Sequence, residues 1–257
     1  MLVLSAAYTP LPNNYTLIKQ LPLQGKYITT DKFGNAYVVN EKNQALKINN
    51  QGDIVKYHNI NSFGQLSLMD ATNPLKIILF FEEYATLVLL DRTMTETGRL
   101  TLYEKGFNQV NAVCSSQDNH IWIYDAVEYK LKKLDDNLNV VEESEDITTQ
   151  LGIMVSPTFI LQQDNYIYLN DPEKGIFVFD LFGTYYKIIP LKGITDFQKL
   201  NDQFIYYKNG KLNAYNLATL NLSVIDLPVC TEEIIDVHIQ SNRLYLLHKK
   251  GLALYAY

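Results

Sequence analysis

Histidine, cysteine and basic charge are all scarce in this chain, and each scarcity removes a class of function. Of its 257 residues, four are histidine and two are cysteine. Cys114 and Cys230 follow no redox or zinc spacing. His58, His120, His238 and His248 fall in different segments without a metal-pair spacing. The formal net charge is -6, which argues against a nucleic-acid partner, because phosphates require a basic patch. The densest basic group, Lys130, Lys132 and Lys133, alternates with apolar residues and reads as a solvated strand face. No run reaches the ~18 apolar residues of a transmembrane helix. Nucleophile-elbow, P-loop and dinucleotide fingerprints are missing as well.

The chain is instead rich in tyrosine and phenylalanine, with 19 and 11 residues against a single tryptophan. Apolar residues make up 47% and charged residues 19%, an ordinary globular mixture. Aromatic and β-branched enrichment favours strands. The N-terminal "MLVLSAAYTP" ends an apolar run in small residues. It reads either as an ordinary apolar start or as the back half of a secretory signal lacking its basic segment. The second reading puts the mature chain in the periplasm or cell envelope, with residues 1–13 as an extension; otherwise the chain is cytoplasmic.

An internal repeat organises the rest. Apolar runs close on Asn49, Asp91, Asp135, Asp180 and Asn216, and a degraded copy closes on Ala256, in steps of 42, 44, 45, 36 and 40 residues. Ahead of each lies another short apolar run, such as "NHIWIYD" or "NYIYLND", and ahead of that a third, such as "VNAVCSS". Behind the Asp or Asn comes a turn, often with glycine, and then a fourth run such as "DIVKY", "RLTLY" or "NVVEE". Four strands every 40 residues or so is the period of a β-propeller blade. The sixth copy lacks a fourth strand, while Tyr15–Leu21 is a strand-like stretch without a blade. The expected fold is therefore all-β: one six-bladed propeller over residues 14–257, with four-stranded antiparallel blades and the N-terminal strand completing the last. Cys114 and Cys230 then fall in opposite blades and remain free thiols.

On "DKFGNAYVVN", "SQDNHIWIYD" and "LQQDNYIYLND", each followed by an apolar run ending in Asp or Asn, the chain resembles six-bladed propellers of the NHL and TolB-like type. That resemblance implies a bacterial envelope scaffold or binding module, or a lactonase-like hydrolase. It is specific for architecture and says little about activity.

Turns between second and third strands share one face with the loops linking blades. They gather Glu82, Glu83, Tyr84, Asp125, Glu128, Tyr129, Asp171, Glu173 and Lys174 on one rim, a polar surface for a protein or glycan partner. At the inner strands, Asn111, Asp196 and Asp236 are the oxygen donors a calcium ion would use, and the remaining blades offer Tyr27, Leu66 and Thr158, a poor complement. No other cofactor is implied. His238 lies two residues after Asp236 on the same strand face and could pair with it as base and orienter. The connection over residues 142–157 is the longest. It carries Glu142, Glu143, Glu145 and Asp146, then an apolar end of Leu151, Ile153, Met154 and Val155 suited to a partner. The function expected is a non-enzymatic binding or scaffold module, with docking within a membrane assembly as one form of it. The alternative is a calcium-dependent lactonase-like hydrolase at the central channel.

Overall fold

The first strand, β1 (Thr16–Leu21), belongs with the last strand of the chain rather than with its sequence neighbours. The computed structural model describes residues 14–59 and 62–257; the signal-like start lies outside them. Blade 1 is built from β2 (Tyr27–Thr30), β3 (Ala36–Val39), β4 (Gln44–Ile48) and β5 (Ile54–Asn59). Blade 2 follows with β6 (Leu68–Asp70), β7 (Ile77–Phe81), β8 (Thr86–Leu90) and β9 (Glu96–Thr101). Blade 3 has β10 (Val110–Ser115), β11 (Ile121–Asp125), β12 (Lys130–Leu134) and β13 (Val140–Glu143). A short helix, α1 (Ile147–Leu151), leads to blade 4: β14 (Phe159–Gln163), β15 (Tyr166–Asp171), β16 (Gly175–Asp180) and β17 (Tyr185–Ile189). Blade 5 comprises β18 (Gln198–Leu200), β19 (Gln203–Lys208), β20 (Lys211–Asn216) and β21 (Leu222–Ile225). Blade 6 takes β22 (Ile234–Gln240), β23 (Arg243–His248) and β24 (Gly251–Ala256), and β1 supplies its outer strand.

Each sheet is too small to bury its own faces, so the second strand of each blade is apolar on both sides. Along β7, Ile77, Leu79 and Phe81 pack toward blade 1, while Ile78 and Phe80 pack toward blade 3. Alternation with a period of two makes this division unavoidable. The apolar interior accordingly resolves into six clusters, one between each pair of neighbouring blades. The cluster joining blade 6 to blade 1 sets Tyr245, Leu247, Leu252 and Leu254 against Ile28, Ala36, Val38 and Ile48, and it closes the ring. Leu21 of β1 packs against that cluster, and Tyr15, just before β1, against the one between blades 5 and 6. Tyr15 also sets its ring edge against Tyr255 and Tyr257.

The recurring Asp or Asn is a turn-forming device. Asn49 accepts hydrogen bonds from the backbone N–H groups of Gln51 and Asp53, and Asp91 from those of Thr93 and Thr95. Asp135, Asp180 and Asn216 do the same in their own blades. A short polar side chain that satisfies two amides of a tight turn is favoured there over any apolar residue. In three of these turns the left-handed position carries a bulky residue: Met94 at φ 63°, Leu138 at φ 61° and Leu220 at φ 59°. Met94 and Leu138 are buried, and apolar burial outweighs the left-handed cost of about 1–2 kcal/mol; Leu220 is exposed and has no such compensation.

Three expectations need correction. The lysines of β12 are not a solvated face. Lys132 is buried and pairs with Asp125 at 2.8 Å and Glu128 at 2.9 Å, while Lys133 reaches Asp118 at 2.7 Å and lies over the Trp122 ring. The neighbouring strand and the turns of the same blade supply these partners, which a linear reading does not show. The 142–157 segment is only partly a loop, since Glu142 and Glu143 belong to β13 and α1 follows. Its apolar end divides: Val155 is buried and Leu151 packs on the core, leaving Ile153 and Met154 exposed. The run "RLTLY" does not end as a strand either, because Leu102–Lys105 forms a 3-10 turn that sinks Leu102 into the core. Cys114 and Cys230 are free thiols, the first buried.

Candidate binding face and channel mouth

The nine rim residues do lie on turns of one face, but they divide by what their side chains do. Asp125 and Asp171 are buried and hold their own turns together. Asp125 accepts from the N–H groups of Val127 and Glu128 and from Lys132 Nζ. Asp171 accepts from Glu173, Lys174 and, across to the incoming loop, Ser156. Tyr129 sits half-buried at φ 56° and its carbonyl accepts the N–H of Ile147. Glu82, Glu83 and Tyr84 form an exposed 3-10 turn. Glu128 and Glu173 are exposed and Lys174 is half-buried, 4.0 Å from Glu173.

The loops of this face are stitched to one another. Leu102 N–H donates to the Ala85 carbonyl, Ala126 N–H to Gln109, and Ile147 N–H to Tyr129. Phe63 packs edge-on to Tyr84 and carries the Arg99 guanidinium over its own ring. Blades 2, 3 and 4 thus present one continuous loop layer. Sequence reading missed Tyr103, Glu104 and Val127 on it. The glycine closing "LYEKG" was the available signal, since Gly106 at φ 89° ends the 3-10 turn.

At the channel, residues of blades 5, 6 and 1 meet. Asp236 accepts from the N–H of Ile28 at 3.0 Å through Oδ2 and from its neighbour Val237 at 2.7 Å through Oδ1. Gln198 acts as a substitute peptide unit: its Oε1 accepts from Ile239 N–H at 2.8 Å and its Nε2 donates to the Ile239 carbonyl at 3.1 Å. The same Nε2 lies 3.3 Å from Thr30 Oγ1, which is 3.4 Å from His238 Nδ1. Asp196 is held only by Thr195, at 3.4 Å. Removal from bulk water raises the pKa of Asp196, and the charge of Asp236 raises it further. Asp236 is raised by the same desolvation against the lowering effect of its two amide donors. Desolvation lowers the pKa of His238, opposed by Asp196. Asp196 is exposed and Asp236 half-buried, so solvent screens the first more than the second.

The donor set fits calcium poorly. Both oxygens of Asp236 already accept backbone amides. Asn111 sits at an irregularity in β10, in a blade opposite blade 6 around the ring. Among the described residues no three His, Cys, Asp or Glu side chains converge as a metal would need. A shallow depression of about 390 Å³ lies elsewhere, where Pro22, Leu23, Glu41, Lys42 and Lys250 of blades 6 and 1 meet, and no rim or channel candidate lines it.

No protein-family description matches the chain, and no curated protein matches it in sequence. Solved structures do match. A virginiamycin B lyase from Staphylococcus aureus superposes with a TM-score of 0.68 at 12% identity, over 95% of this chain and 100% of the other. The WD40 domain of Neurospora crassa Pan2 gives 0.67 at 11% identity, over 94% and 95%. BamB from Moraxella catarrhalis gives 0.54 at 13%, over 95% and 98%. These likenesses show the propeller fold, shared by an enzyme and by proteins of other kinds.

Proposed function

We propose that this propeller is a non-enzymatic binding or scaffold module that presents the loop layer of blades 2 to 4 to a protein partner. One observation carries the reading: of the candidate carboxylates Asp125, Asp171, Asp196 and Asp236, all but Asp196 are engaged by backbone amides, whereas the side chains left free on the rim are exposed and partly apolar. A carboxylate that orders its own turn has few lone pairs left for substrate. Aliphatic Val127, Ile153 and Met154 favour a protein over a glycan, which would need a more polar surface. The apolar "MLVLSAA" start supports a place in the cell envelope, within a membrane-associated assembly.

A photoreactive residue at position 103 on this face, and one at position 182 on the opposite face, test the reading in the native host. Crosslinking of a defined partner from position 103 supports the reading, and a partner found from position 182 alone overturns the choice of face. Absence of any saturable, partner-specific adduct from both positions overturns the binding-module reading itself.

A further inference from the structure

We infer that the loop layer of blades 2 to 4 takes a basic segment of its partner, with lysine or arginine side chains interspersed with bulky apolar ones. This rests on the binding-module reading and adds the chemistry of the occupant. Two independent features of the layer point to it.

The first is exposed apolar surface. Tyr84 and Tyr103 are 48% and 56% exposed, and Val127, Ile153 and Met154 are 56%, 39% and 62% exposed. They come from four successive loops, and the backbone hydrogen bonds from Leu102 to Ala85, Ala126 to Gln109 and Ile147 to Tyr129 hold those loops side by side. Single exposed apolar residues are ordinary, but a contiguous group rimmed by polar residues marks an interaction surface.

Charge is the second feature. Glu82, Glu83, Glu104 and Glu145 are exposed on the same loops. Among the described residues none of the four forms an ion pair, whereas twelve other acidic side chains do. Of the cations on or beside the layer, Arg99 pairs with Glu96, Lys130 with Glu143 and Lys174 with Glu173, which leaves Lys105 to offset the four glutamates. Uncompensated negative charge around apolar anchors is complementary to a basic, apolar-bearing segment and repels an acidic one.

The test uses the whole chain and a fluorescent soluble Lys/Trp/Gly peptide, with its Glu/Trp/Gly counterpart as the opposed probe. Anisotropy titration should show the basic peptide binding and the acidic one failing. Replacing Glu82, Glu83, Glu104 and Glu145 together by Gln should weaken binding about tenfold or more, and added salt should weaken wild-type binding. Met154→Ser should weaken it independently, because it removes an anchor without changing charge. Phe182→Ser on the opposite face should leave it unchanged, and an unaltered melting temperature shows that each variant is folded. Equal affinity for both peptides, no binding of the basic one, or loss on Phe182→Ser instead of on the glutamate changes overturns the inference. If this occurs while crosslinking still finds a partner, the binding-module reading survives and only the occupant's chemistry fails.

Discussion

Gly251 offers a one-atom test of how the ring closes. It opens β24, where β1 lies against it, and a methyl group built there would sit 2.1 Å from the Leu21 carbonyl oxygen and 3.4 Å from Pro22 Cα. Real side chains do not approach a backbone oxygen that closely, so β1 must move away by about 1 Å. The neighbouring ladder register, Leu21 opposite Leu252, would open, and Leu21 would lift from the cluster between blades 6 and 1. Overpacking of this kind costs about 1–3 kcal/mol. In a domain of this size that lowers the melting temperature by about 2–12 °C. The control is Gly98→Ala in β9, where the added methyl meets only Leu89 Cδ1 at 4.0 Å. There the reduced freedom of the unfolded chain gives no loss or a gain of up to about 1 kcal/mol. Calorimetric scans of both variants decide the matter. If Gly251→Ala melts with the wild type, β1 does not lock the ring and the closure argument is wrong.

Deleting residues 1–22 should lower the melting temperature of the whole domain by more than Gly251→Ala does; an unchanged scan would show that blade 6 is stable with three strands. Lys132→Met should destabilise by about 3–5 kcal/mol in urea titration, because it leaves Asp125 buried without its cation, and adding Asp125→Asn should recover part of the loss. Leu138→Gly relieves a left-handed leucine but empties its site, for a net loss of about 1–4 kcal/mol in the same assay. The channel groups oppose one another in pH dependence. Asp196 and Asp236, raised to about 6, bind protons in the folded state that the unfolded chain lacks, so their contribution to stability grows as pH falls from 6 toward 4. His238, lowered to about 4, stays neutral where the unfolded chain is protonated, so its contribution is lost over nearly the same window. His238→Gln should therefore gain stability relative to wild type between pH 6 and 4, and a parallel pair of melting curves across that range would refute the assignment. Calcium titration followed by calorimetry should give neither binding heat nor a raised melting temperature; either result would revive the hydrolase alternative.

The architecture was legible because it is written in local chemistry. Asp91, Asp135 and Asp180 announce turns by their own hydrogen-bonding capacity, and the short apolar runs between them are long enough for strands but not helices. Tyr15–Leu21 was legible by subtraction, as a strand without a blade facing a blade without a strand. What escaped depends on register. Lys132 looks solvated until β11 places Asp125 across from β12, and Gln198 looks unremarkable until blade 6 brings the Ile239 backbone to it. Leu138 gives no sign of its left-handed backbone, because burial there overrides the usual preference for glycine. On the rim, sequence reading placed the residues on turns of one face but could not separate the acids that build turns from those that face water. Asp125 and Glu128 look alike in the sequence and differ only in which way the fold turns them.

The seam between β1 and β24 also has a direction. Thr16 stands opposite Ala256 and Leu21 opposite Leu252, so the outer ends of both strands leave the ladder at the same end. Tension applied to the two termini would load the hydrogen bonds one after another rather than all at once. The ring would peel open from Thr16 at low force, while the same pull applied through blades 2 to 4 would meet whole apolar interfaces. The loop layer of blades 2 to 4 therefore sits on the mechanically strong side of the molecule, and the seam is the side that its topology lets give way.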